Sequence, residues 1–171
     1  IEGFRDISKM FSLLKPVFEN QNIKKFTHDL KIDDCVLKYY GIDIKGVIFD
    51  TLLACYIKDS NANSDFDIQC MEQINHILAS MVTDGKKISF GDSSKSVLLN
   101  YVADVMQSLF ELTKYWAEKL NPRELVILSD IEIPLSKVLA DMERTGVSVD
   151  KQYLYGLTEE LDRKLYNVEQ K

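Results

Sequence analysis

Along most of this chain, apolar side chains recur every three to four residues, the spacing that gathers them on one side of an α-helix. Ile7, Met10, Phe11, Leu14, Val17 and Phe18 mark out the first such helix, and the polar run from Asn20 to Asn22 closes it. Ile23 to Asp29 is short enough for a brief strand, with a helical alternative open at this length. Asp33 or Asp34 is then placed to cap a helix through Val36, Leu37 and Tyr40 that Gly41 ends. Val47, Ile48 and Phe49 form an unbroken apolar triplet after Gly46, which predicts a buried strand, and Thr51 to Ile57 predicts a helix directly behind it. The small polar stretch from Lys58 to Asp67 predicts a surface loop. Ile68, Met71, Ile74, Ile77, Leu78 and Met81 predict another helix, and Thr83 to Ser93, with Gly85 and Gly91, a second loop. A long helix follows, capped at Ser93 or Ser94 and running to about Lys119, with Val97, Leu98, Tyr101, Val102, Val105, Leu109, Leu112 and Trp116 expected inward.

Asn121-Pro122-Arg123-Glu124 joins a capping residue, a proline at the first helical position and a glutamate at the third, the signature of a new helix. A domain boundary is expected there, giving units 1–121 and 122–171. Pro134 should kink the next helix or begin a fresh one. Ile131, Leu135, Val138, Leu139 and Met142 share one helical face, and Gly146 is expected at positive φ as the residue that ends the helix. Val147 to Val149 makes a short extended step, and Asp150 caps a last helix with Leu154, Leu157, Leu161, Leu165 and Val168 on one face. The expected fold class is α/β, predominantly helical, with two or so short strands.

Composition narrows what such a chain does. Its 171 residues are 46% hydrophobic, enough for a real core. No apolar run approaches the roughly 20 residues that cross a bilayer, so a soluble, cytoplasmic protein without a membrane partner is expected. With Ile1 followed almost at once by a helix, the chain is expected to be a piece of a longer one. The net charge of −6 argues against strong DNA binding by this piece alone, because phosphate neutralisation supplies most non-specific affinity. Cys35, Cys55 and Cys70 form no C-x-x-C pair, and His28 and His76 are the only histidines, so small buried thiols are expected in place of a zinc site.

The wording from Asp130 to Leu154, DIEIPLSKVLADMERTGVSVDKQYL, resembles the entry into the polymerase domain of family A DNA polymerases, the bacterial DNA polymerase I group. Ile23 to Asp67 is similar to the second half of the 3′–5′ exonuclease unit that precedes it in that family. The resemblance implies an incomplete ribonuclease H-like exonuclease domain followed by the first polymerase helices, in a parent that replicates and repairs DNA as a nucleotidyltransferase. It further implies Mg²⁺ for the parent and none for this chain, DNA contact only through the parent, and a monomer.

Against the family's second exonuclease motif the chain reads His28-Asp29-Leu30-Lys31-Ile32-Asp33. Asp33 falls on the metal-binding aspartate, the one candidate metal ligand, and Asp29 replaces the usual asparagine. The third motif, Tyr-x-x-x-Asp, keeps Tyr101 but has Val105 at the aspartate. Asp104 is no substitute, since one residue along a helix is about 100° of rotation. The first motif would lie before Ile1. Two-metal hydrolysis needs several converging carboxylates, so no catalytic residue is assigned, and Asp33, Tyr101 and Val105 are expected to be vestigial. The bland alternatives are a helix cap for Asp33, a core position for Tyr101, and a solvated face for Glu159, Glu160 and Asp162. Two other functions stay open: a working exonuclease truncated at its N-terminus, and a helical interaction module presenting the leucine face of Leu154 to Val168.

Overall fold

Two short strands form where they are expected, the stretch from Ile23 to Asp29 resolving to a strand, and they meet in parallel: β1 (Lys25–Thr27) pairs with β2 (Val47–Asp50), placing Phe26 beside Phe49 and Thr27 beside Asp50. The structure is a computed structural model that describes residues 7–78, 82–83, 86–87 and 94–169. α1 (Ile7–Phe18) precedes the strands with the bounds its spacing predicts. Its Phe11 ring stacks on Tyr40 at 4.1 Å, while Leu14 and Val17 stay exposed.

α2 (Leu30–Tyr39) crosses between the strands, and its start differs from expectation. The cap is Asp29, at φ 71, whose side chain accepts from Ile32 N at 3.3 Å, so Asp33 lies in the first turn and Asp34 is buried. Aspartate, with its short polar side chain, tolerates the left-handed region better than most residues, which lets β1 turn into α2 within two residues. α3 (Thr51–Lys58) follows β2 without a linker. α4 (Phe66–Ile74) is shorter than its apolar spacing suggests, because Asn75 adopts φ 51 and ends it, leaving Ile77 outside the helix. Met81 lies outside the described residues. Within the expected second loop, β3 (Val82–Thr83) and β4 (Lys86–Lys87) form an antiparallel pair that the sequence did not announce, and the remainder of that loop lies outside the described residues.

α5 (Lys95–Lys119) is capped by Ser94, whose hydroxyl accepts from Val97 N. Leu112 and Trp116 are buried, but Val102 is exposed. α6 (Pro122–Ile127) begins with the reciprocal bonds its wording predicts: Asn121 Oδ1 accepts from Glu124 N at 3.0 Å, and Glu124 Oε2 accepts from Asn121 N at 2.7 Å. Pro134 is the second residue of a fresh α-helical segment, one of the two outcomes its position predicts. A π-helical turn over Leu128–Glu132, in which the Ile133 N–H reaches back to Leu128 O, joins α6 to α7 (Ile133–Thr145). The wider turn absorbs the donor that proline lacks and the clash of its ring with the preceding turn.

The inward side of α7 also differs from expectation. Ile133, Ser136 and Ala140 are buried, whereas Ile131, Leu135, Val138, Leu139 and Met142 are exposed. Small side chains let this helix approach closely, with Cys35 Sγ 3.6 Å from Ala140 O.

The chain divides into two compact units, Ile1–Asp141 and Met142–Lys171. The first has one core, which takes Leu30 and Leu37 from α2, Phe49 from β2, Leu112 and Trp116 from α5, and Leu128 and Ile133 from beyond Pro122. Lysines reinforce it. Lys58 reaches Glu124 at 3.3 Å, Lys137 reaches Asp43 at 3.3 Å, and Lys38 lies 2.8 Å from buried Asp34 and 2.7 Å from Asp141. All three cysteines are free thiols, and burial pushes that of Cys70 up to about 11. In the second unit Gly146 has φ 67, as predicted, and Asp150 accepts from Tyr153 N at 3.0 Å to start α8 (Lys151–Glu169), whose side chains are exposed throughout. Among the described residues no helix is long and apolar enough to cross a membrane.

Candidate nuclease site

Parallel strands that end side by side bring polar residues together at their C-terminal edge, where α/β sheets usually hold their ligands. Here that edge gathers Thr27 at the end of β1 and His28 just after it, Asp29 and Asp33 at the start of α2, and Asp50 and Thr51 where β2 passes into α3.

Asp50 is fully buried and occupied by its own backbone. Its Oδ1 accepts from Leu52 N at 2.9 Å, Leu53 N at 3.3 Å and Asp29 N at 3.2 Å, and its Oδ2 accepts from Leu30 N at 2.6 Å. One carboxylate therefore caps α3 and also receives the first N–H groups of α2. Burial still raises its pKa, against the pull of those four donors.

Asp33 is half-buried, and the Thr27 hydroxyl donates to its Oδ2. Burial raises its pKa first, and the negative charges of Asp50 and Asp29 add to that, with the Thr27 bond opposing. Asp33 is thus not the cap of α2. It is a carboxyl with one oxygen already engaged.

His28 Nδ1 lies 2.8 Å from Thr51 Oγ1, and its ring meets Phe66 edge-on at 5.0 Å. Burial holds its pKa below 6.5, although Asp50, Asp29 and Asp65 pull the other way. A pKa depressed on folding stabilises the fold above the unfolded value of 6.5 and loses that contribution as pH falls below it. Wild-type protein is therefore expected to lose urea resistance between about pH 6.5 and 5 more steeply than His28→Gln. Parallel slopes for the two proteins would show that His28 does not contribute.

The remaining motif residues lie on α5. Tyr101 and Val105 are both half-buried one turn apart, and burial, then the charge of Asp67, raises the Tyr101 hydroxyl. Asp104 Oδ1 pairs with His76 Nε2 at 2.8 Å, so its carboxylate is directed to the end of α4. Lower down α5, Phe110 meets Phe26 of β1 edge-on at 6.4 Å, about 7.5 Å along the helix axis from Val105.

These donors do not suit a pair of divalent cations. Asp50 accepts N–H groups on both oxygens, Asp33 accepts the Thr27 hydroxyl on one, and position 105 has none to offer. Among the described residues no three His, Cys, Asp or Glu side chains converge as metal ligands would. The sequence motifs do not single out Asp50, although an aspartate between an apolar triplet and a helix is a capping signature. Nor do they signal that His28 and Thr51 meet, because the two are 23 residues apart.

Comparison with known proteins fits this geometry. Residues 5–112 match the family model described as DNA polymerase I, ribonuclease H-like domain. DNA polymerase I of Bacillus subtilis is 35% identical over 98% of this chain, which covers 19% of that protein. The Bacillus caldotenax enzyme of the same name is 32% identical over 86% of the chain and 17% of its own length. This chain thus spans about a fifth of the curated relatives it matches. Among solved structures, the POL domain of Pol1 from M. smegmatis, in complex with DNA primer-template and dNTP, shares the fold with a TM-score of 0.72 at 20% identity, over 98% of this chain and 27% of that one. The two-strand edge, the helices around it and the matching family model together show that this chain belongs to the DNA polymerase I family and carries part of its ribonuclease H-like domain.

Proposed function

We propose that these residues are a non-catalytic scaffold within a family A DNA-directed DNA polymerase, in which an exonuclease-like unit running to about Asn121 no longer proofreads. DNA is bound by the parent, Mg²⁺ serves the parent's polymerase site, and the piece alone is monomeric and binds DNA poorly at its net charge of −6. The observation that carries the proposal is the state of the carboxylates. Asp50 is consumed as a helix cap, Asp104 is turned to His76, and valine stands at position 105. Two metals held a few ångströms apart repel each other unless shared anionic ligands bridge them, and one half-engaged aspartate cannot do that.

The test is nuclease activity on a labelled single-stranded oligonucleotide with Mg²⁺ or Mn²⁺. Neither this chain nor Val105→Asp is expected to shorten it or to bind either ion tightly. Metal-dependent laddering by the unmodified chain, abolished by Asp33→Ala, would refute the scaffold proposal and favour a working exonuclease.

A further inference from the structure

α7 is anchored at its start and held by charge along the rest. Ile133 is buried in the core of the first unit, as is Leu128 at the head of the π-helical turn that precedes it. Beyond that point the residues α7 buries are Ser136 and Ala140, and Cys35 Sγ of α2 lies 3.6 Å from Ala140 O. Small side chains permit this approach but remove little apolar surface from water, so they hold the helix weakly. A cavity of about 220 Å³ adjoins the same helix, its lining including Ile133, Pro134 and Lys137 of α7 and, facing them, Leu30, Ile44 and Val47. Atoms that face a void lose the contacts close packing would supply.

Charge supplies what packing does not. Lys38, in the last turn of α2, reaches Asp141 of α7 at 2.7 Å, and Lys137, one turn earlier on α7, reaches Asp43 beyond α2 at 3.3 Å. Each side thus contributes one lysine and one aspartate. Lys137 Nζ also donates to Ile44 O. Lys38 is fixed by Asp34, a fully buried carboxylate 2.8 Å away whose charge it offsets. The side chains of Asp141 and Asp43, by contrast, are 60% and 53% exposed, so water and salt compete for them.

We propose that α7 from Ser136 onward is a releasable strap, docked by these two reciprocal pairs, which lifts from α2 as one piece and pivots at the π-helical turn and Pro134. A π-helical turn and a proline both interrupt the regular hydrogen-bond ladder, and helices bend where it is interrupted. Lifting the strap frees the chain that runs on from Asp141 into the second unit. None of its residues belongs to the nuclease edge, so the strap stands or falls apart from the loss of proofreading.

Hydrogen exchange in the 171-residue chain carrying both Asp141→Asn and Lys137→Gln tests this. The two substitutions leave the buried Lys38–Asp34 pair intact. The amides of Leu139, Ala140 and Asp141 are expected to exchange at least about 10-fold faster in the double variant than in the unmodified chain, while those of Leu112 and Trp116 in α5 keep their rates. Acceleration should stop at Ile133, whose amide bonds to Leu128 O. Raising NaCl from about 0.05 M to about 1 M should accelerate the same three amides in the unmodified chain and add nothing in the variant. Unchanged exchange at those amides would overturn the proposal. So would an acceleration shared equally by α5 or running on through α6, because α7 would then not move on its own. A salt response that persists in the variant would show that the two pairs are not what holds the strap.

Discussion

Gly46→Ala is expected to destabilise the first unit by about 3 kcal/mol or more, measured as a fall in the urea midpoint at unchanged slope. Gly46 has φ +71, a conformation that costs an L residue about 1–2 kcal/mol by itself. A Cβ there would also lie 2.6 Å from Ile23 O and 2.9 Å from Gln21 O. Both are backbone atoms, so no side-chain rotation relieves the overlap, and the chain entering β1 would have to move. That movement strikes the ladder, since Gly46 O accepts from Lys25 N. Gly41 provides the control. It has φ +73, but a Cβ there would meet nothing within 4 Å, so Gly41→Ala should cost only about 1 kcal/mol, from the backbone conformation alone. Equal losses for the two substitutions would show that close approach of the backbone contributes nothing at Gly46.

Gly46 also marks the limit of what the sequence disclosed. As the residue before an apolar triplet it announced where β2 begins, and local wording of that kind served well elsewhere. The spacing of Ile7 to Phe18 gave α1, Asn121 to Glu124 gave the start of α6, and Gly146 gave a positive φ. Where the outcome depended on distant parts of the chain, local pattern failed. α7 has an apolar stripe from Ile131 to Met142, but the side that is covered carries Ser136 and Ala140, because close helix approach favours small residues over large ones. Likewise, Asp29 rather than Asp33 caps α2, since β1 and β2 set where the chain must turn. The motif residues were individually legible from the family resemblance. That Asp104 turns to His76, and that Asp50 is consumed by four N–H groups, depends largely on contacts 20 or more residues apart in sequence, which spacing does not encode.

Asp50 therefore carries the second large expectation. Asp50→Ala would leave the N–H groups of Asp29, Leu30, Leu52 and Leu53 without their carboxylate acceptor, at a position with no exposed surface. Losing a helix cap costs about 1 kcal/mol, and leaving the one fully buried donor, Leu30 N, unsatisfied costs about 1–3 kcal/mol more, so a total of about 2–4 kcal/mol is expected. Much of the stability of an ordinary domain would go with it. Asp50→Asn should be milder, about 2 kcal/mol, because it keeps one oxygen but must point an amide N–H₂ at a donor or give up the Leu30 bond at 2.6 Å. The pair also has a pH signature. Burial raises the Asp50 pKa above its unfolded value near 3.8, so its contribution is fully present below that pH and declines as pH rises through the folded pKa. Asparagine does not titrate. The stability advantage of wild type over Asp50→Asn is thus expected to be greatest near pH 4 and to shrink towards neutrality, reaching a plateau once Asp50 is ionised. Urea unfolding of both proteins from about pH 4 to 7 measures that difference directly. An advantage that grows with pH would mean that the four backbone donors outweigh the cost of burying the charge, and that Asp50 is held as a carboxylate by the two helices it caps.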